Sequence, residues 1–285
     1  MVYKCGNFIT NQLNKKNHTF VLLMMNQNFI LMKKNIAITL LAVLSLIPAK
    51  TLAWGKKGHA LVAEVAFNYL DNDTKKIVLE YLAGMTIEDA ANWMDDIKDD
   101  KSYDYMKPYH YTNIDKGQEV IEKSGSNIIY ILNKTIKELQ NNKNLTKQEI
   151  KTKILIIFHL VGDLHQPLHV GYGSDKGGNT AQINYKGQGS NLHSFWDSGI
   201  ISDQKVSIED CLNANKFSSA EMSNLQTIDV IAWSKESRNL LDTVYNTGGP
   251  KIKEDYVIAS SKIIESQIQK AGIRLAAILQ KALQK

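Results

Sequence analysis

From residue 54 onward, apolar residues recur at the three-to-four-residue spacing of amphipathic helices over most of the chain. Helices are predicted over residues 59–70, 73–82, 127–141, 229–245 and 254–285. Two more are predicted to begin at N-capping threonines, Thr86 and Thr146, and the second runs through an apolar stretch to a bend expected at Pro167. The pattern predicts an all-α fold.

The exception is a glycine-rich stretch at residues 170–191. Polar and apolar residues alternate over residues 180–185, which is the pattern of a short β-strand. Clustered glycines around it predict turns and loops. We therefore expect a single mostly helical domain that carries a glycine-rich loop and a small hairpin on one face.

The first 53 residues have the order of an export signal. Lys33 and Lys34 precede an apolar run at residues 36–49, and the small residues of Thr51-Leu52-Ala53 follow. A run of this length is too short to span a bilayer comfortably, so no membrane anchor is expected in the mature form. We predict that residues 1–53, an upstream extension and secretory signal peptide, are removed, and that residues 54–285 are periplasmic or secreted.

The net charge of +5 comes from that leader. Six of the 34 basic residues lie in the first 53 positions, which contain no acidic residue, so the rest of the chain has 28 basic against 29 acidic side chains. A near-neutral body does not offer the strongly basic surface of a typical nucleic-acid-binding domain. Only Cys211 remains after the leader, so no internal disulfide is expected, and we predict an inert buried thiol.

Histidine and aspartate occur in pairs four residues apart: His159 with Asp163, and His193 with Asp197. Four residues advance a helix by slightly more than one turn, so both members of a pair share a face, about 40° apart. By the same geometry His165 faces away from Asp163, and we assign it a structural role.

A lone buried histidine, or one such pair, is more often an ordinary hydrogen-bonded group than a metal ligand. Here both pairs lie in apolar sequence and are joined by Asp95, His110 and His169. Burying these groups without a cation would cost roughly several kcal/mol for each unpaired charge. Imidazole with carboxylate suits Zn²⁺, so the sequence predicts a zinc site.

The motifs resemble a known family. They are Trp54-Gly55-x-x-Gly58-His59, Trp93-x-Asp95, Tyr109-His110-Tyr111, His159-x-x-x-Asp163-x-x-Gln166-Pro167-Leu168-His169 and Asn191-Leu192-His193-x-x-Trp196-Asp197. In this order they resemble the zinc-dependent single-strand-specific nucleases and 3′-nucleotidases of the S-one/P-one type. The resemblance implies a helical fold shared with zinc phospholipase C and three zinc ions in a cleft.

By this resemblance, nine residues hold the three ions. The first ion would be bound by Asp95, His110, His159 and Asp163. The second would be bound by the free amine and carbonyl of Trp54 and by His59, with Asp163 shared. The third would be bound by His169, His193 and Asp197. Asp163 as the bridge, and Asp95 beside the attacking water, are the expected catalytic residues.

The resemblance also implies the substrates. Lys98 is placed as a phosphate contact, and Tyr111 and Asn113 are placed to stack on a base and hydrogen-bond to it. A base must be unpaired to stack in such a pocket, so single-stranded DNA and RNA and 3′-nucleotides are expected, with 5′-phosphate products. No stable protein partner is implied, and a monomer is expected.

Trp54 adds a condition, because its amine becomes free only when the leader is removed. The precursor is therefore expected to lack the complete metal pair and to be inactive inside the producing cell.

Alternatives remain at this point. Lys98 could belong to a solvated helix face, and Tyr111 could be an ordinary packing residue. A zinc phospholipase C has a related metal trio, although it has a longer gap before the first histidine and ends on glutamate. A non-catalytic zinc-binding envelope protein is the third alternative, although such proteins usually have histidine-rich tracts or closed ligand sets.

Overall fold

Helices make up most of the part of the chain described by the computed structural model, which is residues 54–284. They are α1 (Lys56–Tyr69), α2 (Asn72–Leu82), α3 (Ile87–Asp96), α4 (Ile128–Gln140), α5 (Lys147–His165), α6 (Leu192–Ser194), α7 (Ile200–Asp203), α8 (Ile208–Asn213), α9 (Ser219–Leu225), α10 (Val230–Asn239), α11 (Leu241–Tyr245) and α12 (Glu254–Leu283). The 3₁₀ segments are Lys101–His110, Asn142–Asn144, Pro167–Val170 and Gly173–Asp175, and Phe195–Gly199 is a π turn. The predicted mostly helical single domain is confirmed.

The predicted leader, residues 1–53, lies outside the described residues, as does Lys285. Across residues 54–284, none of the helices combines the length and the apolar composition needed to cross a bilayer.

Helix α5 is the central helix of the core. Every residue from Ile154 to His165 is buried, and the helix packs against α3, α4 and α12. A helix buried on all sides has no solvent-facing stripe, so its polar residues must find partners inside the protein. His159 and Asp163 therefore lie where only other buried groups can satisfy them. The helix ends before Pro167, as predicted.

Helix α12 packs along α1, and Gly272 marks their closest approach. A Cβ atom placed on Gly272 would lie 2.3 Å from Cγ1 of Val65 and 2.9 Å from the backbone nitrogen of Ala66. A β-branched side chain and a helical backbone have little freedom to move away. Glycine is therefore required here for two helix backbones to meet.

We expect Gly272→Ala to lower the free energy of unfolding by about 1–3 kcal/mol, because the added methyl group overpacks the contact between α1 and α12. The loss should appear as a lower denaturant midpoint. Gly189→Ala is the matched control, since a Cβ atom there meets nothing within 4 Å. A midpoint that Gly272→Ala leaves unchanged would show that the helices separate at no cost.

Both threonine caps are confirmed. The Thr86 side chain accepts a hydrogen bond from Asp89 N at 3.0 Å, and Thr146 forms a full capping box with Glu149. The prediction of one helix over residues 229–245 is wrong, because the chain breaks at Leu240 into α10 and α11. Helices α7 to α9 were not predicted, since each is too short to repeat an apolar period.

The predicted hairpin is present as strands β1 (Gln182–Tyr185) and β2 (Gln188–Asn191), paired antiparallel. Lys186 and Gly187 form a two-residue turn with φ of 51° and 83°, the left-handed conformation that such hairpins favour.

The predicted buried thiol is also confirmed. Cys211 is buried, and burial, together with nearby Glu265, raises its pKa to about 12. The thiolate that reacts with oxidants and metals is therefore scarce at neutral pH.

Candidate metal centre and substrate cleft

Eight buried imidazole and carboxylate side chains converge from distant segments of the chain. They are His59 on α1, Asp95 on α3, His110 at the end of a 3₁₀ helix, His159 and Asp163 on α5, His169 in the turn after α5, His193 on α6 and Asp197 in the π turn. None is more than 6% exposed. The structure thus brings together every histidine and aspartate that the sequence analysis named as a metal ligand.

Asp163 lies at the centre of this cluster. One carboxylate oxygen, Oδ1, is 3.3 Å from His59 Nε2 and 3.8 Å from His169 Nδ1. The other, Oδ2, is 2.9 Å from His110 Nδ1 and 3.3 Å from His159 Nε2. Because its two oxygens face different histidines, this carboxylate can serve two cations at once.

Asp95 lies near two of the histidines that face Asp163, namely His110 and His159. Its Oδ1 is 3.6 Å from His159 Nε2 and 4.0 Å from His110 Nδ1, and it forms an ion pair with Lys98. The imidazole of His59 stacks on that of His159, with ring centroids 3.9 Å apart. His159 belongs to two groups of side chains that could each hold a metal ion. One consists of His59, Asp95 and His159, and the other of His110, His159 and Asp163. The division of these ligands between two ions stays a prediction.

A third group consists of His169, His193 and Asp197, whose ligand atoms lie within 4.8 Å of one another. Asp197 Oδ2 is 3.4 Å from His193 Nε2, and Oδ1 is 3.8 Å from His169 Nε2. The two pair members stay together although the segment between them is a short α turn followed by the π turn Phe195–Gly199. Such wide turns occur frequently at functional sites.

Backbone carbonyls fix three of the imidazoles. The Nδ1 atoms of His159, His169 and His193 lie at 2.7, 2.7 and 2.6 Å from the carbonyl oxygens of Ala91, His110 and Gly177. A carbonyl only accepts, so each Nδ1 must carry the proton. The Nε2 lone pair of each ring is then free for a cation, which is the usual support of histidine ligands in metal sites.

The cluster is short of positive charge. Several of its buried atoms have no hydrogen-bond partner in the described chain, namely both ring nitrogens of His59, Asp95 Oδ2, Asp163 Oδ1, His169 Nε2 and Asp197 Oδ2. Buried polar atoms are normally hydrogen-bonded. So many unpaired atoms in one cluster therefore indicate a missing partner. Imidazole nitrogen and carboxylate oxygen are ligands that zinc binds well, and the residues therefore fit that metal.

The pKa values of these histidines and aspartates also indicate that the cluster is short of positive charge. Burial alone lowers the pKa of His169, but the carboxylates of Asp163 and Asp197 outweigh it and raise the value to about 9. Burial raises the pKa of Asp163, yet His159 and His169 hold it well below its usual range. At His110, burial wins and lowers the pKa to about 4. The Asp163 carboxylate thus stays ionised and attracts a positive charge, either a protonated imidazole or a metal ion.

Gln166 contacts the third group through a hydrogen bond to Asp197. Its Nε2 donates to Asp197 Oδ1 at 2.5 Å, and its Oε1 accepts from Leu168 N at 2.6 Å. Gln166 belongs to the sequence motif between Asp163 and His169, but the motif alone does not show its role. Its position between the end of α5 and Pro167 shows what it does, which is to hold the aspartate in a fixed orientation.

We expect Gln166→Met to weaken zinc binding at the third group by about 10- to 100-fold, because the side chain keeps its length but loses both hydrogen bonds. Competition with a chromophoric chelator measures this affinity. Gln188→Met, on the exposed strand β2, is the control. Equal affinities in both variants would show that Asp197 needs no support.

Trp54 lies fully buried beside the cluster. A Cβ atom placed on Gly162 would lie 3.6 Å from Trp54 Cδ1 and 2.8 Å from His59 Nδ1, so this glycine leaves room for both rings. Gly55 N donates to the carbonyl of Asp197 at 2.8 Å. The first described residues thus contact both ends of the centre, and ligation by the Trp54 amine stays a prediction.

The centre opens into a cleft of about 680 Å³. Its lining includes His110, His169 and His193 together with Lys98, Tyr111 and Asn113. All three residues predicted to contact substrate therefore border the same cleft as the candidate ligands. The Tyr111 ring is 44% exposed and is not a packing residue of the core.

The cleft also has residues that the sequence analysis missed, namely Lys107, Lys176 and Asn179. Lys107 precedes His110 by three residues, and on a 3₁₀ helix that spacing puts both on one face. Its helix type is not visible in the sequence pattern, so this signal could not be used. Lys176 and Asn179 lie in the glycine-rich loop, where no periodicity guides prediction.

His165 points away from the cluster, as expected. Its Nδ1 donates to Val161 O at 2.7 Å, and its Nε2 is 2.7 Å from the Arg274 guanidinium, which can only donate. Burial and the charge of Arg274 hold its pKa well below the usual range. His165 is therefore a neutral structural residue.

The chain is similar to known nucleases. The sequence profile of the S1/P1 Nuclease family matches residues 54–284. The chain is 28% identical to Endonuclease 5 of Arabidopsis thaliana, over 80% of this chain and 90% of that protein. It is 29% identical to Endonuclease 2 of the same plant, over 79% and 89%, and 25% identical to Nuclease S1 of Aspergillus oryzae, over 80% and 91%. With the match covering most of the chain, this protein belongs to the S1/P1 nuclease family.

Proposed function

We propose that this nuclease is an exported zinc enzyme that hydrolyses single-stranded DNA and RNA to 5′-phosphate products and removes phosphate from 3′-nucleotides. Membership of the family makes the chain a hydrolase of phosphodiester bonds. The observation that carries the finer proposal is the set of three buried histidine–aspartate groups at the floor of a cleft that exposes a tyrosine. Action as a monomer in the periplasm or outside the cell is part of the proposal.

Three zinc ions would be held by the nine residues named from the sequence. These are Trp54, His59, Asp95, His110, His159, Asp163, His169, His193 and Asp197. When bound, zinc supplies Lewis acidity that lowers the pKa of water and neutralises charge on phosphoryl oxygens. The ions also account for phosphate recognition by a chain whose body is near neutral.

The protein's own groups orient the reaction. Asp95 Oδ2 has no hydrogen-bond partner in the described chain, so it can accept the proton of the attacking water. Lys98 lies against Asp95 and borders the cleft, where its ammonium can contact a phosphate oxygen. This arrangement couples the proton acceptor to the group that holds the substrate.

Tyr111 and Asn113 support a preference for single strands. The Tyr111 ring is partly exposed at the cleft, and Asn113 offers an amide donor and acceptor for a base edge. A base inside a duplex has both faces covered and its pairing edge occupied, so it cannot use these contacts. An unpaired base can, whatever its identity, because every base has a π face.

Incubation of the zinc-loaded protein with five substrates tests the proposal. We expect cleavage of single-stranded DNA, of RNA and of 3′-AMP, with little action on duplex DNA or on phosphatidylcholine. Chelation should abolish all cleavage. Cleavage of phosphatidylcholine alone would favour a phospholipase, and zinc binding without any hydrolysis would favour a non-catalytic envelope protein.

A blocked Trp54 should reduce activity, because an amide nitrogen cannot replace a free amine as a zinc ligand. We expect protein that retains residues ahead of Trp54 to bind less zinc per chain and to cleave single-stranded DNA at least about tenfold more slowly. Enzymatic removal of those residues in vitro should restore both. Full activity of the blocked form would exclude the amine as a ligand.

A further inference from the structure

A ten-residue 3₁₀ helix, Lys101–His110, forms one edge of the cleft. Side chains three positions apart lie in line on such a helix, so it has three faces. One face, Tyr103, Met106 and Tyr109, is buried or half-buried, and Lys107 and His110 lie on the face that lines the cleft. The third face carries Tyr105, and Tyr111 follows the helix in extended backbone and lines the cleft. One exposed tyrosine, Tyr111, thus lines the cleft, and a second, Tyr105, lies on another face of the helix that borders it.

Tyr105 is 57% exposed, the largest exposed fraction among the large hydrophobic side chains of the described residues. Its ring meets that of Tyr109 near a right angle, at 77° and with centroids 6.1 Å apart. This edge contact supports the ring and leaves more than half of the side chain in water. A flat aromatic partner that covered it would remove apolar surface from solvent.

The spacing of the two exposed tyrosines matches an extended strand better than a single nucleotide. The five steps of 3₁₀ helix from Tyr105 to His110 alone rise about 10 Å, whereas neighbouring bases stack about 3.4 Å apart. A base on Tyr105 therefore belongs to a different nucleotide from the base on Tyr111. The strand between them would pass Lys107, which lies between the two tyrosines in sequence and lines the cleft.

Lys107 is available for a backbone phosphate. Its ammonium is 2.5 Å from Asp104 Oδ1, and both side chains are about half exposed. Exposed pairs of this kind contribute at most about 1 kcal/mol, so a phosphate can displace the carboxylate. Adjacent faces of the same helix then offer a stacking surface and a cation, the combination by which proteins bind single strands without sequence preference.

We infer that Tyr105 and Lys107 form a second strand-binding subsite, which takes the base and phosphate of a nucleotide away from the cleaved bond. The inference rests on the proposed function, since it extends the substrate cleft of the nuclease. It implies that the protein distinguishes substrates by length. An oligonucleotide reaches the subsite, and a 3′-mononucleotide does not.

The test compares Tyr105→Ala with wild type on the oligonucleotide dA12 and on 3′-AMP. We expect kcat/KM for dA12 to fall about tenfold, as loss of one base–aromatic stack predicts, and kcat/KM for 3′-AMP to stay within about twofold. Tyr105→Trp should keep the activity on dA12. Leu79→Ala, at a 47% exposed site on α2, controls for removal of a surface hydrophobic group. Equal effects of Tyr105→Ala on both substrates, or none on either, would overturn the inference.

A binding measurement separates this inference from the nuclease proposal. Fluorescence anisotropy of a labelled, hydrolysis-resistant dA12 analogue with the zinc-loaded protein requires no catalysis, and Tyr105→Ala should weaken that binding about tenfold as well. If wild type cleaves neither substrate but binds dA12 through Tyr105, the proposed function fails and the subsite stands. If wild type cleaves both and Tyr105→Ala changes nothing, the subsite fails and the function stands. A wild-type dimer lost in Tyr105→Ala would identify the ring as a protein contact instead.

Discussion

Asp163→Asn is expected to lower kcat/KM on single-stranded DNA by at least about a thousandfold. The substitution keeps the size of the side chain and removes the carboxylate that faces His59 and His169 with one oxygen and His110 and His159 with the other. Metal ions supply several kcal/mol of transition-state stabilisation, and about 1.4 kcal/mol corresponds to a factor of ten in rate. The zinc content per chain should fall together with the rate.

Asp73→Asn is the matched control for this change, because the Asp73 side chain is 88% exposed on α2. It should leave both rate and zinc content unchanged. Circular dichroism on both variants shows whether the fold persists. An Asp163→Asn variant that kept three zinc ions and wild-type kinetics would remove the basis for a shared carboxylate.

Chelation of zinc is expected to lower the melting temperature by at least about 8 °C. A ligand present at about a thousand times its dissociation constant stabilises the folded state by about 4 kcal/mol for one site. In a chain of this size, each kcal/mol shifts the melting temperature by about 2–4 °C. The physical reason is local. Without a cation, the buried oxygens of Asp95, Asp163 and Asp197 repel one another inside the core.

Calorimetry before and after treatment with a chelator measures this shift. Added Zn²⁺ should restore the melting temperature, and Mg²⁺ should not, because magnesium prefers oxygen ligands to imidazole. Asp163→Asn should show a smaller response to chelator than Asp73→Asn. Equal melting temperatures with and without metal would mean that the cluster is stable on its own.

Much of the fold followed from local patterns. Thr86 and Thr146 cap the helices that the sequence placed after them, and Pro167 ends α5 where its missing N–H predicted. These features depend on neighbouring residues only. The break at Leu240 and the short helices α7 to α9 depend on tertiary packing, and no periodic signal in the chain shows them.

The candidate site was accessible for a different reason. His159 with Asp163 and His193 with Asp197 have a spacing that places both side chains on one face of a helix, so local geometry was enough to find them. Lys107 and Gln166 were missed because their roles depend on a 3₁₀ face and on a contact across the turn to Asp197. Such contacts have no sequence pattern of their own.

The hydrogen bond from Gly55 N to Asp197 O joins positions about 140 residues apart in the chain. A Cβ atom on Gly55 would lie 2.0 Å from Ser198 Oγ, so the two segments meet with no space between them. Closing so long a loop costs entropy, which the packing of the intervening helices offsets. The contact between Gly55 and Asp197, and with it the complete centre, can therefore form only after the ribosome has released residue 197.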